Sequence, residues 1–84
     1  MRFVLSHRHP AGECAVAYSA WRGFESPLRR APVLGTCESE AGAGSEHLLI
    51  WTVEADSADG ALALLPEWLA ARTEARRVAE VPIP

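Results

Sequence analysis

The segment HLLIWTVEA, residues 47–55, constrains the fold of this chain most. It is rich in branched and aromatic residues, which are the side chains that strands favour. Apolar residues occupy both alternating faces at its centre, a pattern typical of a strand that is covered on both sides. The segment therefore predicts a β-strand with two buried faces.

Three other segments are predicted to be strands. In RFVLSHRH (2–9), Phe3, Leu5, His7 and His9 fall on one face and the residues between them on the other. VLGTCE (33–38) is a short second strand, and EARRVAEVPIP (74–84) is predicted to be an edge strand because it contains prolines.

Two helices are predicted between these strands. The first covers 12–23, with a buried stripe of Val16, Ala17, Ala20 and Trp21, and Gly23 as its stop. The second covers 57–73, begins at a cap on Asp56 or Ser57, and should kink or restart at Pro66, which lacks a backbone donor.

The resulting βαββαβ order is that of ferredoxin-like folds. We therefore expect an α+β fold in which residues 1–84 form a single ferredoxin-like domain. Its four-stranded antiparallel sheet, with strand order 4-1-3-2, is backed by two helices. A domain of this size buries only about 60–65% of its unfolded surface, so it is a candidate for self-association. A homodimer through the uncovered sheet face is expected.

Two segments also carry a resemblance. The C-terminal half of small proteins allied to the dimeric α/β-barrel superfamily is similar to the segment WTVEADSADGALALLPEWLAARTEARRVAEVPIP. The segment AYSAWRGFESPLR also resembles these proteins. The shared motifs are structural, so no catalytic residue is carried over. The resemblance implies a homodimer in which two sheets face each other.

Net charge and hydropathy exclude some classes of partner and cellular location for this protein. The net charge of −3 argues against a nucleic-acid partner, because neutralising phosphates requires a basic face. All eight basic residues are arginine, which favours bidentate contacts with anions. An RNA-binding module, with Phe3 and Trp51 as stacking aromatics, is the weaker alternative. The chain lacks a long apolar run and a signal-peptide pattern, so no membrane partner and a cytoplasmic location are expected. Both cysteines would then be reduced, and a Cys14–Cys37 bridge is the alternative.

The reactive side chains converge in this topology. The residues His7, His9, Cys14, Cys37 and His47 include every histidine and cysteine of the chain, and all five fall at one end of the predicted sheet. Imidazoles and thiolates bind zinc, copper or iron. The spacing matches no standard zinc motif. The sequence therefore predicts a small homodimeric protein with a transition-metal site, and a minor metalloenzyme is one form of this hypothesis.

Other interpretations of these residues stay open. Cys14 lies in the first turn of a helix, where the helix dipole favours the thiolate, and His7 or His9 could act as its base. A catalytic role for Cys14 is therefore a hypothesis. A buried cysteine is also often only a small core residue.

A metal-free function is the main alternative. It would be a small-molecule-binding protein or enzyme of the dimeric α/β-barrel type, with a cavity between sheet and helices. Trp51 and Trp21 would line that cavity, and Arg29 and Arg30 would bind an anionic group. The simpler interpretations are that Trp51 belongs to a dimer core and that Glu25 pairs with one of the arginines.

Overall fold

An open antiparallel sheet is the framework of the protein in a computed structural model, which describes residues 1–36 and 46–84. Its strand order is β2-β3-β1-β4, and every neighbouring pair is antiparallel. The strands are β1 (Arg2–Pro10), β2 (Leu34–Gly35), β3 (Glu46–Glu54) and β4 (Thr73–Val78). The expectation of an α+β fold with a four-stranded antiparallel sheet is confirmed.

The helices are short. They are α1 (Cys14–Ser19), α2 (Ala58–Leu62) and α3 (Glu67–Ala70), with 3-10 turns at Ala11–Glu13 and Pro27–Arg29. Ser57 caps α2, because its hydroxyl accepts a hydrogen bond from the Gly60 amide at 3.0 Å. The segment predicted as one helix over 57–73 restarts at Pro66, as expected, and Pro66 has an extended backbone at φ −55 and ψ 149.

Three predicted elements are longer than the observed ones. The second strand, predicted over 33–38, is observed only at Leu34–Gly35, and positions 37 and 38 lie outside the described residues. The first helix ends at Ser19, because the Trp21 and Arg22 amides bond carbonyls only three residues back and Gly23 then takes a left-handed φ of 70. Val16 is 46% exposed, so its predicted burial is wrong. The last strand ends at Val78 because its partner there is Arg2, the first residue of β1.

Strand alternation divides the sheet into a covered and an open face. Phe3 and Leu5 are buried on the covered face opposite Val53 and Trp51. They pack in a core cluster that also contains Leu28, Ala61, Leu65 and Leu69. His7 and His9 continue the same face of β1 and are 0% and 1% exposed. The covered face therefore ends in histidines at one end of β1.

None of the helices in the described ranges has the length and apolar character needed to cross a bilayer.

Candidate metal centre

Three potential metal ligands meet where β1 ends. His9 on β1 is the register partner of His47 on β3, and their ring centroids are 5.5 Å apart. Cys14 is the first residue of α1, and its Sγ lies 3.1 Å from Nδ1 of His47. One ligand atom from each residue lies within 4.8 Å of the others. We call these three residues the His9–Cys14–His47 cluster.

The local chain path explains why Cys14 reaches the two histidines. Pro10 ends β1, and the 3-10 turn Ala11–Glu13 then carries the chain directly into α1. The Cys14 thiol donates a hydrogen bond to the carbonyl oxygen of Ala11 at 3.2 Å, which holds the sulfur at the turn. Only four residues therefore separate the β1 ligand His9 from the α1 ligand Cys14.

The spacing of the cluster suits one shared ion. In a tetrahedral zinc site, a thiolate sulfur and an imidazole nitrogen are about 3.6 Å apart, given the usual Zn–S and Zn–N bond lengths. The Cys14–His47 separation of 3.1 Å is about half an ångström shorter than that distance. All three ligand atoms lie within 4.8 Å of one another, so side-chain movements of about an ångström would place them around a metal ion.

His7 forms a second layer behind the cluster. Its Nε2 lies 2.9 Å from Nδ1 of His9, and its Nδ1 lies 3.3 Å from both the Leu69 carbonyl oxygen and the Thr73 hydroxyl. Burial lowers the pKa of His7 below its usual 6.5, and the charges of His9 and Arg72 lower it further, against the raising effect of the Leu69 bond. Burial also lowers the pKa of His9, helped by His47 and opposed by the negative charge of Glu13. Both rings therefore favour the neutral form that a metal requires.

An indole ring forms one wall of the histidine layer. The Trp68 ring centroid lies 5.9 Å from that of His7 and 6.3 Å from that of His9. The Arg72 guanidinium lies over the Trp68 ring, 4.0 Å from the ring centroid. The imidazoles of β1 are thereby kept in a largely water-free layer.

The structure brings together four of the five predicted metal ligands. His9, Cys14 and His47 form the cluster, while His7 contacts it through His9. Cys37 lies outside the described residues. His47 is the imidazole beside the Cys14 thiol, whereas the sequence pointed to His7 or His9. The reason is that register pairing brings β3 to the start of α1.

The predicted ligand-binding residues divide into two places. Trp21 and Trp51 lie with ring centroids 6.3 Å apart, and both line a groove of about 320 Å³. Arg29 also lines this groove, and its guanidinium lies 3.9 Å from the Glu25 carboxylate. Arg30 lines a separate depression near Glu25 and Ser26. The groove is mostly apolar, with Tyr18, Leu28, Ala31, Val33 and Leu49 completing it.

Three residues around the site were missed from the sequence. Leu69 and Thr73 contact His7, and Trp68 packs against both β1 histidines. They come from α3 and β4, more than 55 residues away along the chain. No local sequence pattern signals such contacts.

Comparison with protein-family models, curated proteins and solved structures gives no match for this chain. The structure alone therefore defines its class: a small α+β protein with a histidine and cysteine cluster that could hold a metal ion.

Proposed function

We propose that the protein binds a transition metal ion, zinc, copper or iron, through His9, Cys14 and His47. The single observation that carries the proposal is the convergence of one ligand atom from each residue within 4.8 Å. The residue types support it, because two imidazoles and one thiolate form a borderline-soft donor set. The lowered pKa of His9 supports it too, since a protonated imidazole cannot coordinate.

Zinc fits this donor set best. A His₂Cys set also suits copper when a thioether completes the site. The single methionine of the chain is Met1, which lies at the opposite end of β1 from His9. The three ligands among the described residues leave a fourth tetrahedral position for the predicted ligand Cys37, for water or for a substrate. A water or substrate in that position is the arrangement of catalytic zinc sites. A hydrolytic or Lewis-acid reaction is the class of chemistry that such a position would permit.

Metal analysis of protein purified without a histidine tag tests the proposal. We expect about one metal ion per chain by inductively coupled plasma mass spectrometry, and a large loss in a His9→Ala/His47→Ala variant. An Arg8→Ala variant is the matched control, because Arg8 lies beside His9 on β1 but is exposed on the open face. Equal metal content in wild type and the double variant would contradict the proposal.

A second candidate function is supported by the apolar groove. Its volume of about 320 Å³ is at the lower limit of ligand pockets, and Trp21 and Trp51 give it aromatic walls. A small apolar ligand with an anionic group would suit these walls and Arg29. Thermal-shift screening of small aromatic acids tests this function, with Trp21→Ala as the variant that should lose the response and Arg30→Ala as the variant that should retain it.

We also propose that the fold is ferredoxin-like and that the open sheet face pairs with a second copy. The strand order, read from the β4 edge, is 4-1-3-2, which supports the first part. The open face carries partly buried Val4, Leu48 and Ile50 and a 73% exposed Leu34. Such side chains favour association.

Sedimentation of purified protein tests the dimer. We expect a dimer in wild type and a monomer in Ile50→Glu, because a carboxylate in the middle of the paired faces would be desolvated. Ala15→Glu places the same charge on an exposed position of α1 and should remain dimeric. A monomeric wild type would contradict the proposal.

A further inference from the structure

We infer that His7 and Thr73 are positioning residues that place the ring proton of His9 on Nδ1, so that His9 coordinates the metal through Nε2. The inference rests on the proposed metal site. It is carried by a continuous set of hydrogen bonds joining α3 and β4 to β1, which we call the His7 network: the Leu69 carbonyl, Thr73, His7 and His9.

The Thr73 hydroxyl sets the first proton of the network. It donates a hydrogen bond to the Leu69 carbonyl oxygen at 2.6 Å, so its single proton is used there. The hydroxyl oxygen then faces Nδ1 of His7 at 3.3 Å as an acceptor, and the Leu69 carbonyl oxygen at 3.3 Å can only accept. Both partners of His7 Nδ1 are therefore acceptors, and Nδ1 carries the proton.

The neutral His7 ring transmits this choice to His9. A neutral imidazole has one N–H and one acceptor nitrogen, so a proton on Nδ1 makes Nε2 the acceptor. His7 Nε2 lies 2.9 Å from Nδ1 of His9, in the buried layer of the covered face. Two acceptor nitrogens facing each other at this distance would be unfavourable, so His9 Nδ1 carries a proton and donates it to His7.

The consequence for the cluster is a fixed ligand atom. With its proton on Nδ1, the His9 ring has its lone pair on Nε2, and only a lone pair can coordinate a metal. Outer hydrogen bonds of this kind hold a ligating imidazole in one tautomer and one orientation, and their loss costs about 10–100-fold in metal affinity. His7 is thus not a metal ligand; it orients the ring of the ligand His9 through their hydrogen bond.

The first test reads the tautomers directly in the metal-free protein. Two-bond ¹H–¹⁵N correlation spectra of chelator-treated, ¹⁵N-labelled protein at about pH 8, where both rings are neutral, distinguish a proton on Nδ1 from one on Nε2. We expect the Nδ1–H tautomer for both His7 and His9. The Nε2–H tautomer at His9 would overturn the inference. Because no metal is present, this result stands whether or not the proposed function is correct.

The second test compares Zn²⁺ affinities by competition with a chromophoric chelator. His7→Leu removes the acceptor for His9 and should lower affinity by about 10–100-fold. His7→Gln can return a carbonyl acceptor to the same place and should recover most of that loss. Unchanged affinity in His7→Leu, or an equal loss in both variants, would overturn the inference.

A third variant keeps the inference testable if His7 substitutions unfold the protein. Thr73→Val removes one acceptor of His7 while preserving shape, and Thr73→Ser retains it. In Thr73→Val only the Leu69 carbonyl still accepts from His7 Nδ1, so we expect a smaller excess of the Nδ1–H tautomers of His7 and His9, and wild-type spectra in Thr73→Ser. Identical spectra in the two variants would show that Thr73 does not influence the tautomers of His7 and His9. A wild type that binds no Zn²⁺ would refute the proposed function and leave the tautomer result to decide the network.

Discussion

The Cys14 sulfur and the His47 Nδ1 atom are 3.1 Å apart, although the two residues are 33 positions apart in the sequence. The contact joins the start of α1 to the start of β3. The thiol also donates to the Ala11 carbonyl, so the sulfur is held from both sides. Metal binding would replace these contacts with bonds from the thiolate and the imidazole to a shared ion.

We expect Cys14→Ser to weaken Zn²⁺ binding by more than about 100-fold, because one of three ligands contributes about 3 kcal/mol of a total of about 10 kcal/mol. The measurement is a chelator-competition titration. Co²⁺-loaded protein should at the same time lose its sulfur-to-cobalt charge-transfer absorption. Ala15→Ser, at an exposed neighbouring position, is the control and should bind as wild type does. Wild-type affinity in Cys14→Ser would remove Cys14 from the ligand set.

We expect the metal-free protein to lose stability as the pH falls below neutrality. Burial holds the pKa values of His7 and His9 below 6.5 in the folded state, so the unfolded chain takes up protons first. The contribution to stability is complete above about pH 6.5 and is lost as the pH falls toward the folded pKa values. The loss grows as the pH falls below about 6.5 and stops at the folded pKa values of the two histidines.

Urea unfolding of chelator-treated protein, followed by circular dichroism at about pH 7.5 and about pH 5, measures this dependence. A His7→Gln/His9→Gln variant should show a smaller difference between the two pH values, because the buried titrating groups are gone. Equal stability of the wild type at both pH values would contradict the prediction.

We expect Leu69→Ala to destabilise the protein by about 2–5 kcal/mol, because it leaves a cavity under the sheet. Leu69 is fully buried in the core cluster, and its backbone carbonyl also accepts from His7 and Thr73. Ile83→Ala shortens an aliphatic side chain at an 84% exposed position beyond the end of β4 and should cost less than about 0.5 kcal/mol. Urea midpoints of the two variants give the comparison, and similar losses would contradict the core assignment.

We expect Gly35→Ala to destabilise the β2–β3 pairing by about 1–3 kcal/mol. A Cβ at Gly35 would lie 2.7 Å from the Leu48 carbonyl oxygen and would also overlap the Leu49 side chain. The backbone oxygen cannot move without disturbing β3. Gly12→Ala is the control, since a Cβ there meets nothing within 4 Å. Thermal unfolding of both variants tests the difference, and equal melting temperatures would show that β2 can adjust.

The sequence predicted the parts of the fold that depend on local alternation. The period of two along β1 placed His7 and His9 on the face of Phe3 and Leu5, and the burial of all four confirms it. Pro66 was expected to interrupt the second helix, and it does so because it has no amide hydrogen to donate. These features follow from neighbouring residues alone.

The parts that failed or were missed depend on tertiary contacts. The end of β4 at Val78 is set by where β1 begins, and the Leu69 and Thr73 contacts of His7 are set by how α3 and β4 pack. Convergence of the ligands at one end of the sheet was predicted from topology, but their shared face and distances required coordinates. The role of Cys37 stays a prediction.

The packing of Trp68 beside both β1 histidines gives the protein an optical reporter. Indole emission is quenched by a nearby imidazolium and by paramagnetic ions such as Cu²⁺, and Trp68 lies within 6.3 Å of the His7 and His9 ring centroids. Trp21 and Trp51 lie against each other instead, away from this layer. Fluorescence of a Trp21→Phe/Trp51→Phe variant would therefore follow events at the cluster without any added dye.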